Sequence, residues 1–183
     1  MHDSDPDLNS AGDELSLSRR YINQLYNMFP KMDILESNHG RLYYRRAKKF
    51  GLPMQAIKTY NELWKVGKGW KWHDDLTIRL PNGQQLYMVH GKNKNCMILS
   101  KNMGMSAMQG HYHGQFALNF WGNPNQLNWA VTAGCLIDHH SSAFSYGKLH
   151  LERPIVGCAV VVDSLPILIP MTMNKKGRWI GKL

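Results

Sequence analysis

The spacing of apolar residues along the chain changes once, near residue 70, from a helical to a strand-like period. Before that point, apolar side chains recur every three or four positions in segment 10–29, which predicts a first helix that Pro30 ends. Ser10 and Asp13 form a variant of the capping box and would start this helix. The other elements predicted before residue 70 are a strand at 32–37 and two helices at 40–51 and 53–64.

Beyond residue 70 the apolar residues alternate with a period of two, which predicts strands. Segment 76–91 is predicted to be a hairpin because an Asn-Gly turn separates two alternating runs. One short helix, at 95–104, interrupts the strands. The other predicted strands are 106–110, 116–122, 127–137, 156–163 and 165–171. Helices in the first third followed by strands predict sheets that are covered by helices.

Length and composition narrow the class of protein. The 183 residues fit a single domain over 1–183, whose residues 1–9 are expected to be flexible. The 22 basic and 13 acidic residues give a net charge of +9, which indicates a polyanionic partner. Three widely spaced cysteines predict reduced thiols, and no apolar run is long enough to span a bilayer. A cytoplasmic protein without a membrane partner is therefore expected.

Four histidines follow predicted strands, and each stands next to a glycine: His39, His90, His111 and His113. Imidazole is the commonest metal ligand, and glycine lets the main chain approach an ion or a phosphate closely. Because His111 and His113 are two residues apart, on an extended segment they would point the same way and converge on one centre or on two adjacent ones. An isolated His-x-His pair is more often a surface turn, but its repetition at other strand ends favours a metal site.

Three motifs, in this order, resemble the later motifs of calcineurin-like metallophosphoesterases: Ser-Asn-His-Gly at 37–40, Val-His-Gly at 89–91 and Gly-His-Tyr-His at 110–113. Segment 134–161 is similar to phage and prophage members of that family, and the likeness runs from about residue 10 to the C-terminus. The family's pattern is Asp-x-His, Gly-Asp, Gly-Asn-His, a lone His and Gly-His-x-His. The resemblance implies an α/β fold, a calcineurin-like layered β-sandwich flanked by helices. That fold would be N-terminally incomplete here, because no Asp-x-His motif precedes the Asn-His motif.

The resemblance also implies a role for each matching residue. Asn38, His90 and His111 would bind the second of two metal ions, and His113 would bind the first. His39 would be the general acid that protonates the leaving alkoxide. Two divalent ions about 3.5–4 Å apart can clamp a phosphate and neutralise the charge that develops in the reaction. Mn²⁺ is the expected ion, with Zn²⁺, Fe²⁺ and Mg²⁺ as alternatives.

The N-terminal part of the family's metal site has no good counterpart in this chain. Gly12-Asp13 resembles the Gly-Asp motif, but no apolar strand precedes it, so Asp13 is favoured as a helix cap over a bridging ligand. Gly40 stands where the family has an acidic residue, which removes a carboxylate that would orient His39. A neutral ligand set without a bridging carboxylate should bind metal weakly or not at all. Either a complementing N-terminal segment or a homodimer formed through the open sheet edge is therefore an expected partner.

A basic and tyrosine-rich segment, 41–49, follows directly after His39. Its arginines could contact phosphate groups while Tyr43 or Tyr44 stacks on a base. The arginines assigned to this substrate or nucleic-acid contact are Arg41, Arg45 and Arg46. The alternative is a solvated helix whose tyrosines pack in the core, and the sequence favours neither. The Trp-rich segment 64–72 is predicted to pack in the core with its lysines outward.

These features leave two classes of function open. The first is a metal-dependent phosphoesterase, a phosphodiesterase or nuclease that hydrolyses a phosphate ester such as DNA or RNA. Its expected location is the cytoplasm of a bacterial host or a phage-infected cell, and the chain alone could be inactive. The second is a non-catalytic, basic nucleic-acid-binding protein with a vestigial metal site.

Overall fold

The computed structural model describes residues 11–137, 153–175 and 179–181. The chain divides into two compact units, Met1–His73 and Asp74–Leu183, each of which contains its own sheet. The predicted flexible residues 1–9 and the Ser10 cap lie outside the described residues. The single domain over 1–183 stays a prediction.

Helices and one pair of parallel strands make up the N-terminal unit. Its elements are α1 Ala11–Met28, β1 Met32–Leu35, α2 Gly40–Lys49, a 3₁₀ turn Met54–Ala56, α3 Tyr60–Trp64 and β2 Trp70–His73. β1 and β2 pair in parallel, with Met32 beside Trp70 and Leu35 beside His73. Asp13 lies in the first turn of α1, as the helix-cap interpretation predicts. The first three predicted elements are therefore confirmed, each with slightly different ends.

The helix predicted over 53–64 is wrong in its first half. Ile57 is extended, with φ −107° and ψ 131°, and it separates the 3₁₀ turn from α3. Thr59 starts α3 through a capping box: its side chain accepts the Glu62 N–H, and the Glu62 carboxylate accepts the Thr59 N–H at 2.8 Å. A local cap therefore starts a new helix where the apolar spacing had suggested one continuous element.

Aromatic side chains form the core of the N-terminal unit. Trp70 is buried, packs edge-on against Tyr26 with ring centroids 5.7 Å apart, and donates a hydrogen bond to the Phe29 carbonyl at 2.8 Å. Trp72 packs against the buried ring of Tyr60, with ring centroids 4.7 Å apart. The core position predicted for the Trp-rich segment is confirmed for Trp70, and the lysines of that segment are exposed.

A five-stranded mixed sheet is the centre of the C-terminal unit. The elements are β3 Asp75–Arg79, β4 Gln85–Val89, α4 Cys96–Met103, β5 Ser106–Gln109, β6 Phe116–Gly122, β7 Leu127–Ala133, β8 Gly157–Val162 and β9 Leu165–Pro170. The strand order is β3-β4-β5-β7-β6; β4, β5 and β7 run parallel, and each edge strand is antiparallel to its neighbour. β8 and β9 form a separate antiparallel hairpin. The strands and the short helix predicted for this unit are present, although β7 stops before the predicted end at 137.

Both faces of this sheet are covered by elements of the same unit. On one face, α4 packs through Cys96 and Leu99 against buried residues of β4, β5 and β7. On the other face, side chains of β8 and β9 pack against the buried cluster that contains Trp129. The predicted mixed α/β fold is confirmed, and this unit is layered. The calcineurin-like form of the β-sandwich stays a prediction.

Two chemical features of the sequence can be compared with these elements. The three cysteines are free thiols, as predicted, and burial raises the pKa of the Cys96 thiol to about 11. That thiol is therefore protonated at neutral pH and poorly reactive.

In the described part of the chain, none of the helices combines the length and the apolar character that crossing a bilayer requires.

Candidate functional site

The parallel strands β4, β5 and β7 end at the same edge of the five-stranded sheet. Val89, Gln109 and Thr132 lie side by side at or next to the ends of these strands. In open α/β sheets, ligands commonly bind at the carboxyl ends of parallel strands, where the following loops meet. His90 follows β4 directly and His111 follows β5 after one intervening residue, so both lie at this edge.

His90 and His111 form a contacting pair. The Nε2 of His90 and the Nδ1 of His111 are 3.2 Å apart, and the ring centroids are 5.0 Å apart at an interplanar angle of 67°. The Gly110 N–H donates a hydrogen bond to the His90 carbonyl at 2.9 Å and ties the two loops together. Gly91 lies so close to His111 that a side chain at position 91 would have no room. The structure therefore brings together two of the histidines selected from the sequence.

His111 has an unusual main-chain conformation for a residue that is not glycine. Its φ is 68°, and the Tyr112 N–H donates a hydrogen bond to the Gly110 carbonyl at 2.7 Å across it. A three-residue turn closed in this way around a positive φ is a γ-turn of the rare, strained kind. Strain of this sort is concentrated at functional sites. The extended geometry assumed for His111 and His113 is therefore wrong, because the turn redirects the chain between them.

A hydrogen-bonded row of Lys92, Tyr87 and Asp75 lies beside the loop that carries His90. The Lys92 Nζ donates to the Tyr87 hydroxyl at 3.2 Å, and that hydroxyl donates to the Asp75 Oδ2 at 2.9 Å. The hydrogen bond to Tyr87 raises the pKa of Lys92, and burial raises the pKa of Tyr87. Lys92 is therefore protonated at neutral pH, which places a positive charge two residues after His90.

His113 lies in the turn that follows His111, beyond the end of β5. Its carbonyl accepts a hydrogen bond from the Ile155 N–H at 2.8 Å, which ties this turn to the segment before β8. The Gln115 N–H donates to the Tyr112 carbonyl, also at 2.8 Å, and closes the turn. The role of His113 as a ligand of the first metal stays a prediction.

Asn38 and His39 belong to the N-terminal unit and lie at the start of α2. Ser37 closes the turn that leads into this helix: its Oγ accepts the Gly40 N–H at 2.8 Å and its carbonyl accepts the Arg41 N–H at 3.0 Å. Asn38 and His39 are both exposed. The N-terminus of a helix carries a partial positive charge that attracts anions such as phosphate. The role of His39 as a general acid stays a prediction.

The arginines selected from the sequence lie on α2 and differ in their partners. The Nε of Arg41 is 2.7 Å from the Oε2 of Glu36, an ion pair that balances its charge locally. The Nη2 of Arg45 donates to the Asn38 carbonyl at 3.1 Å and braces the turn before the helix. Arg46 is exposed to solvent. Of the three, Arg46 is therefore best placed to meet an external phosphate.

Tyr43 and Tyr44 are held by contacts within the N-terminal unit. Both hydroxyls donate to the Lys58 carbonyl, at 2.6 and 3.3 Å, and Tyr44 packs edge-on against Tyr60 with ring centroids 5.0 Å apart. Burial is the largest cause that raises the pKa of both tyrosines, and it raises the pKa of Tyr60 to about 12. These contacts favour packing over base stacking for the two tyrosines.

The Nε2 of His90 and the Nδ1 of His111 lie at hydrogen-bonding distance, and two ligands of one divalent ion have a similar spacing. Nitrogens that bind one ion at about 2.0–2.1 Å lie about 2.9–3.4 Å apart when they occupy neighbouring coordination positions. The observed separation of 3.2 Å lies within that range. Among the described residues, no group of three or more His, Cys, Asp and Glu side chains could hold a metal ion. A metal site at this pair therefore stays a prediction, and it would need further ligands.

Several residues that shape this edge carry no motif in the sequence. Lys92 and Tyr87 stand in ordinary loop and strand positions, and only their hydrogen bond shows that the two side chains lie together. Gln109 is a polar residue at the end of an apolar run, which is a weak signal on its own. These residues act through contacts between segments that are distant in the chain, and residue patterns do not report such contacts.

Comparison of the chain with protein-family models and with curated proteins finds no match. The resemblance to calcineurin-like metallophosphoesterases therefore still depends on the motifs themselves. A function for this site has to follow from its geometry and chemistry.

Proposed function

We propose that the protein is a metal-dependent phosphoesterase of the phosphodiesterase or nuclease kind. The observation that carries the proposal is the His90–His111 pair, whose ring nitrogens lie 3.2 Å apart where parallel strands end. The strained turn at His111, the positive charge of Lys92 and the order of the motifs support it. Because two neutral ligands bind a metal ion weakly, full activity requires further ligands.

Each proposed role uses a group whose chemistry suits the hydrolysis of a phosphate ester. His90 and His111 would hold one divalent ion, with Mn²⁺ as the expected ion. His113 would supply a further ligand from the same unit, and Asn38 keeps only the ligand role that the motif resemblance implies. When bound, such an ion polarises a phosphoryl oxygen and offsets negative charge in the transition state. By the motif resemblance alone, His39 would be the general acid that protonates the departing alkoxide oxygen.

Hydrolysis of bis-p-nitrophenyl phosphate with and without Mn²⁺ tests this proposal. We expect Mn²⁺ to stimulate the wild-type protein, and His111→Ala to remove the stimulation because one of the two paired ligands is lost. His39→Ala should lower kcat about 10²–10⁴-fold at saturating Mn²⁺, the usual contribution of a general acid. The release of p-nitrophenolate is followed by absorbance.

His73→Ala is the matched control for these variants. His73 is a half-buried histidine of the N-terminal unit whose Nε2 lies 2.7 Å from the Asp33 Oδ1, so the control breaks a comparable contact. We expect Mn²⁺ stimulation to survive in it. Equal losses in His73→Ala and His111→Ala, or hydrolysis that does not depend on Mn²⁺, would contradict the proposal.

A nucleic-acid-binding protein without catalytic activity is the second candidate, and the surface of α2 favours it. Four exposed cationic side chains lie along this helix: Arg45, Arg46, Lys48 and Lys49. The net charge of +9 has the same sign. A surface of this kind neutralises backbone phosphates without reading the base sequence, and it needs no metal ion.

Removing charge from α2 should weaken DNA binding and flatten its salt dependence. The α2 triple variant carries alanine in place of Arg45, Arg46 and Lys48. The slope of log K against log salt should change by about 0.7–0.9 for each phosphate contact that is lost. Fluorescence anisotropy with a labelled single-stranded DNA measures the slope at several salt concentrations.

A second triple variant controls for the loss of net charge. It carries alanine in place of three exposed lysines of the same unit, Lys65, Lys68 and Lys71. If both triple variants show the same slope, the effect reflects net charge alone and α2 is not the binding surface. DNA binding that responds to the α2 variant, with no Mn²⁺-dependent hydrolysis, would favour the second candidate over the enzyme.

A further inference from the structure

We propose that Gln109 is a positioning residue for the His90–His111 pair, because its buried side chain fixes the loop that carries His90. This role deepens the proposed function and rests on it, since it gives Gln109 an indirect part in metal binding. The role is one of orientation. Gln109 binds main-chain groups of the loop, and the position of the loop determines the position of the His90 imidazole.

The side chain of Gln109 binds the loop at two consecutive residues. Gln109 is the last residue of β5, and 1% of its surface is exposed. Its Nε2 donates a hydrogen bond to the Asn93 carbonyl at 2.6 Å, and its Oε1 accepts the Lys92 N–H at 3.3 Å. Both partners are main-chain groups of the loop that begins with His90. The amide therefore uses its donor and its acceptor to hold the same loop.

The main chain of the same residue leads directly to His111. Gly110 follows Gln109 and donates its N–H to the His90 carbonyl at 2.9 Å, and His111 comes next in its γ-turn. Gln109 is thus connected to the pair from both sides, through its side chain to the loop after His90 and through its main chain to His111. A shift of that loop relative to β5 would change the 3.2 Å separation of the ring nitrogens.

A polar side chain would be a poor choice for this position if packing were its only role. Gln109 lies between Val89 and Thr132 of the neighbouring strands, in the buried centre of the sheet. A buried amide is tolerated when its donor and its acceptor are both paired, as they are here. An apolar residue of the same length would leave the Lys92 N–H and the Asn93 carbonyl without this partner. The loop would then move to satisfy them.

The test uses the full chain with the substitutions Gln109→Met, Gln109→Asn and Asn128→Leu. The first measurement is Mn²⁺ affinity by calorimetry, and the second is the ¹H–¹⁵N spectrum of the imidazole nitrogens without metal. Gln109→Met keeps the length of the side chain and removes both hydrogen bonds. We expect it to lower Mn²⁺ affinity about 10–100-fold, the usual effect of losing a residue that orients a ligand. The signals of His90 and His111 should shift in the same variant.

Asn128→Leu is the matched control for the loss of a buried amide. Asn128 is fully buried on β7, four residues before Thr132 and thus about 13 Å from the edge where the pair lies. Its replacement removes the hydrogen bond that its Oδ1 accepts from the Gln126 Nε2 at 2.7 Å, and it should leave both the Mn²⁺ affinity and the imidazole signals unchanged. This contrast separates positioning from the mere loss of a buried amide.

The third variant, Gln109→Asn, allows the positioning role to be tested even if Gln109→Met does not fold. If Gln109→Met does not fold, Gln109→Asn decides, because it retains a buried amide that is too short to reach both partners. If the wild-type protein binds no Mn²⁺, the proposed function fails while the imidazole signals still decide the positioning role. Unchanged signals and unchanged Mn²⁺ affinity in a folded Gln109 variant would overturn the proposal.

Discussion

Replacing Gly91 by alanine is expected to lower Mn²⁺ affinity at the histidine pair by at least about 100-fold, because it displaces a proposed ligand directly. A Cβ at this position would lie 2.4 Å from the His111 Cβ and 2.8 Å from its Cγ. Non-bonded carbon atoms need about 3.5–4.0 Å, so either the ring or the loop must move. His111 has little freedom to adjust, since the γ-turn already holds it at a φ of 68°. The spacing of the ring nitrogens would be lost in either case.

Gly110→Ala is the matched control, and isothermal titration with Mn²⁺ measures both variants. Gly110 is adjacent to His111, yet a Cβ there would approach only the His90 carbonyl oxygen, at the ordinary contact distance of 3.6 Å. We expect this control to bind Mn²⁺ about as tightly as the wild-type protein. If Gly91→Ala also binds like the wild type, the pair does not hold the ion, and the proposed metal site fails.

Most elements that depend on neighbouring residues agree with the sequence-based predictions, and the local capping box at Thr59 is the exception. Asn95 caps α4 by accepting two N–H groups of the first turn, and Gly104 ends that helix with a φ of 67°. The turn between β3 and β4 contains Gly83 with a φ of 87°. Caps and turns are made by residues that are close together in the chain, so their signals are visible in the sequence.

The pairing of distant strands is not visible in the same way. β1 and β2 pair in parallel although helical segments separate them, and the residues of β2 were predicted only as a Trp-rich part of the core. The order β3-β4-β5-β7-β6 likewise brings together strands that are far apart in the chain. The period of a strand indicates which of its faces is buried, but not which strand lies beside it.

The sequence predicted which histidines belong to the candidate site, but it did not predict how the main chain and the neighbouring side chains arrange them. The sequence identified His90 and His111 because both follow apolar strands, and the parallel sheet then places them at one edge. The γ-turn depends on a single main-chain dihedral angle, and no residue pattern reports it. The role proposed for Gln109 depends on two hydrogen bonds to a loop from another part of the chain. Asn38 and His39 remain predictions drawn from the motif order.

Replacing Trp129 by alanine is expected to cause the largest loss of stability, about 3–5 kcal/mol. Trp129 is 1% exposed on β7 and belongs to the buried cluster with Leu86 and Val131. Its indole N–H donates a hydrogen bond to the Ser164 carbonyl at 3.2 Å, in the turn between β8 and β9. Without the indole, the sheet would contain a cavity, and the β8–β9 hairpin would lose one of its attachments to the sheet.

Urea unfolding followed by far-UV circular dichroism measures this loss against two controls. Trp129→Phe keeps much of the ring volume and lacks the N–H, so it should reduce the free energy of unfolding by less than Trp129→Ala. Trp179 is 47% exposed, and its replacement by alanine should reduce that free energy by less than Trp129→Ala does. If Trp129→Ala unfolds at the same urea concentration as the wild type, the hairpin does not depend on this contact. The layered packing of the C-terminal unit would then need to be revised, because a ring buried between two layers cannot be removed without cost.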